Sequence, residues 1–201
     1  MNSLFASYLL TAFVLTLGLP AAQAAPEPAI PVSTATGEAL YSRFLGRWKG
    51  SLEYRDYSTN KRVTLPTLLD VSLSPDRKAM IWQFTYDDGP GKIVKGAERI
   101  TIQPNANTWT EVEVEIKQGN TFSEVGGTQV YQLSNLNSLL QSARAVLLAT
   151  GVGEESSKPV DVRKTLTVES DRFVLLKETR LQGMPFQFRN QYTFARNSAN
   201  P

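Results

Sequence analysis

From Trp48 onward the chain alternates. Trp48, Gly50, Leu52 and Tyr54 fall on one face of an extended backbone; Lys49, Ser51, Glu53 and Arg55 fall on the other. That period of two marks a half-buried strand. The pattern recurs and predicts strands from Val63 to Ser72, Ala79 to Tyr86, Ile93 to Gln103, Thr108 to Lys117 and Thr121 to Leu133. It then predicts Val160 to Glu169, Phe173 to Leu181 and Phe186 to Ala195. Segments with turn chemistry separate them, among them Ser74-Pro75-Asp76, Asp87-Asp88-Gly89-Pro90-Gly91 and Gln118-Gly119-Asn120. About nine strands at this spacing indicate an antiparallel sandwich or barrel.

Two segments follow a different period. Leu40, Tyr41 and Phe44 recur at helical spacing and predict a short helix within residues 37–44. Leu136, Leu139, Leu140, Ala143 and Leu147 recur at three and four, with Gly151 as a C-cap, and predict a helix from Asn137 to Ala149. In a competing reading, Ala145 to Thr150 is a strand. Gly153 to Pro159 reads as a polar loop.

Two strands carry more detail. In the strand from Thr108, Thr110, Val112, Val114 and Ile116 share one face, and Glu111, Glu113 and Glu115 the other, which reads as a solvated outer face. If the loop near Asn105 closes a hairpin, Arg99 comes roughly opposite Glu113. In the last strand, Phe186, Phe188, Asn190, Tyr192 and Phe194 face one way. By pairing with the first strand it can close a barrel and remove both sheet edges.

The Gly46-x-Trp48 pair opening the first strand resembles the lipocalin-like (calycin) barrels. The resemblance implies an all-β fold: an antiparallel barrel of about nine to ten strands with one or two short helices, spanning residues 37–197 as one domain. It also implies structural roles for Gly46 and Trp48, and an arginine late in the barrel packed across the tryptophan. Arg189 is the best positional match for that arginine, and its guanidinium over the indole would be a cation–π contact.

Residues 1–24 read as a secretory signal: Leu9 to Leu19 is an apolar run, and Ala22-Gln23-Ala24 a small-x-small cleavage site. Residues 25–36 form a Pro- and Ala-rich leader. The expectation is a periplasmic or secreted protein with no stable membrane anchor after cleavage. The formal net charge is +2, with Lys and Arg interspersed among Asp and Glu, which argues against a nucleic-acid partner.

Composition narrows the chemistry. The chain has no His and no Cys. A Ser-His-Asp triad, a Cys-His pair, the common zinc sites and histidine-ligated haem are therefore excluded. No catalytic residue, metal ligand or cofactor is assigned. Glu178 and Asp70 are interspersed with apolar strand residues and could point inward, whereas Asp87-Asp88 read as turn formers.

Aromatic residues sharing a face with apolar neighbours are the positive sign of a cavity. Tyr54, Trp82, Phe84, Tyr86, Phe188, Asn190 and Tyr192 are the candidate lining residues. These features point to a carrier or sensor that holds a small hydrophobic molecule in a barrel. The alternatives are a barrel enzyme of isomerase or cyclase type using Tyr and Glu, and an interaction module with a filled barrel.

Overall fold

Pairing of the first strand with the last converts a meander into a ring. In a computed structural model describing residues 39–56, 58–117 and 121–197, β1 (Gly46–Arg55) is hydrogen-bonded to β2 (Arg62–Leu73) on one side. On its other side is β10 (Gln187–Arg196). Between them run β3 (Met80–Asp87), β4 (Ile93–Gln103), β5 (Thr108–Lys117), β6 (Thr121–Ser134), β7 (Ala145–Glu155), β8 (Lys158–Val168) and β9 (Arg172–Arg180). Each strand is antiparallel to its neighbours, and the ten close into one barrel. The signal and leader expected in residues 1–36 lie outside the described residues.

Closure requires close backbone approach at Gly50, which faces Phe194 in the β1–β10 ladder. A Cβ placed there would sit 1.8 Å from the Thr193 carbonyl oxygen, so only glycine fits.

One end of the barrel is plugged. A helical turn, α1 (residues 39–42), leads into Phe44, which is fully buried. Phe44 lies 5.9 Å from Trp82, 6.3 Å from Trp109 and 6.1 Å from Phe173, centroid to centroid. Tyr41 ties α1 down, its hydroxyl donating to the Lys78 carbonyl at 2.9 Å and accepting from the Ile102 amide at 3.2 Å. Arg43 donates to the Val168 carbonyl at the end of β8 and to the Leu139, Ser142 and Ala143 carbonyls, satisfying acceptors left open where a short helix ends. That helix, α2, covers only Ser138–Gln141.

The helix expected from Asn137 to Ala149 is thus corrected: from Ala145 the chain is strand β7, as the competing reading had it. Leu139 is buried in α2, but Leu140 is exposed. Ala145, Leu147 and Ala149 are buried alternately, the period of a strand. The helical spacing of leucines was local to a single turn. Gly153 to Pro159 is likewise the end of β7 and the start of β8, not a loop.

The other end is an open mouth, and around it the wall is incompletely sewn. β4 pairs with β5 only from Glu98 to Gln103, and β6 with β7 only from Gln132 to Ser134. The outer part of the β5–β6 hairpin therefore pairs only with itself among the described residues. A bulge sets Val125, Gly126 and Gly127 against Glu113 there.

Candidate functional site

Inward-facing positions divide the interior into layers. Above the plug of Phe44, Trp48, Trp82, Trp109 and Phe173, an aromatic column rises toward the mouth. Phe84 stacks on Tyr86 at 5.7 Å and on Tyr192 at 5.2 Å, and Tyr192 stacks on Phe194 at 5.7 Å. The Tyr86 and Tyr192 hydroxyls meet at 2.9 Å. Burial pushes the Tyr86 phenol up to about 12 and raises that of Tyr192 as well, so both are neutral hydrogen-bonding groups near neutral pH.

Beside this column lies a belt of charge. Lys164 of β8 is buried, and its ammonium contacts both carboxylate oxygens of Glu111 on β5. It also lies 4.5 Å from the centre of the Tyr131 ring. Glu111 accepts a second bond from the Trp109 indole N–H at 2.7 Å. Burial is the largest single influence and opposes the lysine charge, but Glu111, Tyr131 and Glu98 together outweigh it and hold the ammonium above its ordinary range. Glu98, on the Trp82 face of β4, is pushed up to about 7 by burial and then by the Glu111 charge. Lys177 of β9 is half-buried, and burial followed by repulsion from Lys164 lowers its proton affinity.

Nearer the mouth, Arg189 donates from Nη2 to Glu155 and from Nε to the Thr179 hydroxyl at 2.6 Å. Around these groups opens a cavity of about 380 Å³. Leu52, Tyr54, Leu65, Tyr86 and Val94 form its apolar wall, facing Lys177, Arg189, Asn190 and Glu155. A second cavity of about 380 Å³ lies beyond the Glu155–Arg189 pair, under the β9–β10 loop with Leu181 and Met184.

The candidate lining residues separate into groups. Tyr54, Tyr86 and Asn190 line the mouth cavity. Phe84 and Tyr192 stack below Tyr86. Trp82 belongs to the plug instead, only 1% exposed and surrounded by Phe44, Trp109 and Phe173. Phe188 faces outward, with the Arg62 guanidinium 3.9 Å from its ring and Arg62 in turn paired to Glu53. The cause is a bulge between Phe188 and Asn190, which breaks the alternation and turns Arg189 into the barrel.

The same bulge corrects the arginine assignment. The residue packed over Trp48 is Arg196, with its Cζ 4.0 Å from the ring, and not Arg189. Gly46 and Trp48 open β1 as expected; Gly46 has φ +107°, and the Trp48 N–H donates to the Phe44 carbonyl at 2.7 Å. Of the three carboxylates expected on a solvated face of β5, Glu113 and Glu115 are exposed and Val112 and Val114 are buried as expected, but Glu111 points inward to Lys164 rather than to solvent. The hairpin register is one residue off as well. The four residues 104–107 pair Gln103 with Thr108, which sets Glu98 opposite Glu113 and Arg99 opposite Val112. Glu178 and Asp70 do not face the interior; they pair with Arg163 and Arg47.

No protein-family model and no curated protein matches the chain. Among solved structures it is similar to Rv2717c from M. tuberculosis, with a TM-score of 0.51 at 14% identity over 79% of this chain and 97% of that one. The S-type phycobiliprotein lyase CPES from Guillardia theta aligns with a TM-score of 0.49 at 9% identity, covering 81% and 93% of the two chains. The first likeness is one of fold alone, and with the ring of ten antiparallel strands it fits a calycin-like barrel.

The interior charges were missed as site residues, although the sequence carried a signal. Lys164 falls in step with Val160, Val162, Leu166 and Val168, and Lys177 in step with Phe173 and Leu175. A lysine on the buried phase of a strand is a candidate interior cation.

Proposed function

We propose that the chain is a binding protein for a small hydrophobic ligand held in the mouth of the barrel, acting in the periplasm or after secretion. The observation that carries this reading is the cavity itself. It is open at one end, floored by stacked aromatics and walled by apolar side chains, with a few polar groups gathered on one side. That arrangement, and a volume of about 380 Å³, suit a small ligand. The signal-like N-terminus supports the compartment.

The test is titration of the purified protein with several chemically distinct lipophilic fluorescent probes. Saturable binding at one probe per chain is expected. Failure of every probe to saturate would overturn the proposal. Recovery of the chain from a periplasmic fraction, beginning at Ala25, tests the compartment.

A second reading, a barrel enzyme of isomerase or cyclase type, draws on Glu98, whose carboxyl titrates near neutrality. The residues lining the mouth cavity do not include Glu98, and the carrier reading is preferred on that geometry.

A further inference from the structure

The interior ion pairs leave a remainder. Lys164 is matched by Glu111, and Arg189 by Glu155. Lys177 and Glu98 face the same interior, yet among the described residues neither side chain makes a hydrogen bond or an ion pair. They differ in placement: Lys177 lines the mouth cavity and Glu98 does not. A half-buried ammonium without a direct partner is costly to hold unless something else completes its coordination.

We infer that the mouth cavity takes an amphipathic monoanion, an apolar body ending in a carboxylate, and that Lys177 receives the carboxylate. This rests on the carrier reading. Asn190 stands opposite Lys177 in the β9–β10 ladder and lines the same cavity, so its amide can donate beside the ammonium. Leu52, Leu65 and Val94 supply the wall for the apolar body. With Lys164 and Arg189 already paired, Lys177 adds one positive charge, the complement of a monoanion rather than of a dianion.

The charge balance agrees. The charged groups facing Lys177 from neighbouring strands are Glu98 on β4, Glu111 on β5, Glu155 on β7, Lys164 on β8 and Arg189 on β10, and Arg55 and Asp88 line the same cavity. With Glu98 ionised these sum with Lys177 to zero; with Glu98 protonated they sum to one positive charge. Glu98 takes its proton close to neutral pH. An anion bound at Lys177 would then be accompanied by proton uptake on this carboxyl.

The experiment compares dodecanoate, dodecanol and dodecylamine by calorimetric titration of the full protein, alongside Lys177→Met and Lys177→Arg. Methionine keeps the apolar stem and removes an unpaired internal charge, so that variant should fold; circular dichroism checks this. Wild type should bind dodecanoate at least tenfold more tightly than dodecanol. Lys177→Met should lose that preference and keep dodecanol binding, and Lys177→Arg should retain most of it. Equal affinity for acid and alcohol in wild type would overturn the inference while the carrier reading stands. So would an acid preference that survives in Lys177→Met, or a preference for the amine. If wild type binds none of the three and no other lipophilic probe, the carrier reading itself fails.

Discussion

The guanidinium of Arg196 lies 4.0 Å from the Trp48 ring and binds the chain on both sides of it. Its Nη1 donates to the Leu45 carbonyl, Nη2 to the Arg43 carbonyl at 3.2 Å and Nε to the Ser170 carbonyl at 3.2 Å. One side chain from the end of β10 thus holds the approach to β1 and the β8–β9 turn. Lysine cannot reproduce a planar fork that also stacks on an indole. Arg196→Lys should therefore lose about 1–3 kcal/mol of stability by urea denaturation. A loss within error of zero would show that the contact is ornamental.

Gly50→Ala should be far worse. The new methyl would collide with the Thr193 carbonyl, a backbone atom held in the closing ladder. The expected loss is about 3 kcal/mol or more, and the β1–β10 seam should show it first as lost amide protection. Gly127→Ala is the control, because nothing lies within 4 Å of its added carbon. There the change should be small, with a gain of about 0.4–1 kcal/mol if the backbone tolerates alanine.

Glu98 should give stability an inverted dependence on pH. Its carboxyl titrates at about 7 when folded, against an ordinary value of 4.5. The folded state therefore holds the proton more tightly than the unfolded chain. From pH 4.5 to 7 the unfolded state binds fewer protons, and stability falls as pH rises. The loss is on the order of 3 kcal/mol across that window. Glu98→Gln should flatten the slope and be the more stable protein at pH 8. Parallel curves of urea midpoint against pH for the two proteins would contradict this.

The Lys164–Glu111 pair should behave as a unit. Lys164→Met leaves a carboxylate inside the barrel without its partner and should cost about 3–5 kcal/mol. Glu111→Gln in the Lys164→Met background removes the stranded charge and should recover a large part of that loss. A double-mutant cycle that closes additively would mean the two groups do not interact.

These sites show which parts of the molecule were legible in the sequence. Alternation at Trp48, Leu52 and Tyr54, and the turns between strands, depend on local rules, and they predicted most of the barrel. Failures cluster where a nonlocal fact decides. Nothing near Arg189 reveals that a bulge between Phe188 and Asn190 changes which side chain enters the barrel. The start of β7 imitates a helix because leucines in the short turn before it carry a helical spacing into the strand. Glu111 looked like one of three solvated carboxylates until Lys164, 53 residues away, was found against it. Period alone marks two faces; which one is inside depends on the partner strands.

The incomplete seams beside the β5–β6 hairpin divide the barrel mechanically. Around the plugged end, hydrogen bonds pass from every strand to the next, making a hoop whose parts must yield together. Around the mouth, the hoop is cut on both sides of one hairpin, which can lean outward without breaking a ladder. At those two seams the aperture is held without ladder hydrogen bonds, whereas β1 remains paired to β2 and β10, and β7 to β8, up to the mouth. On the carrier reading, this hairpin is the part of the wall free to yield to a ligand while the aromatic floor keeps its shape.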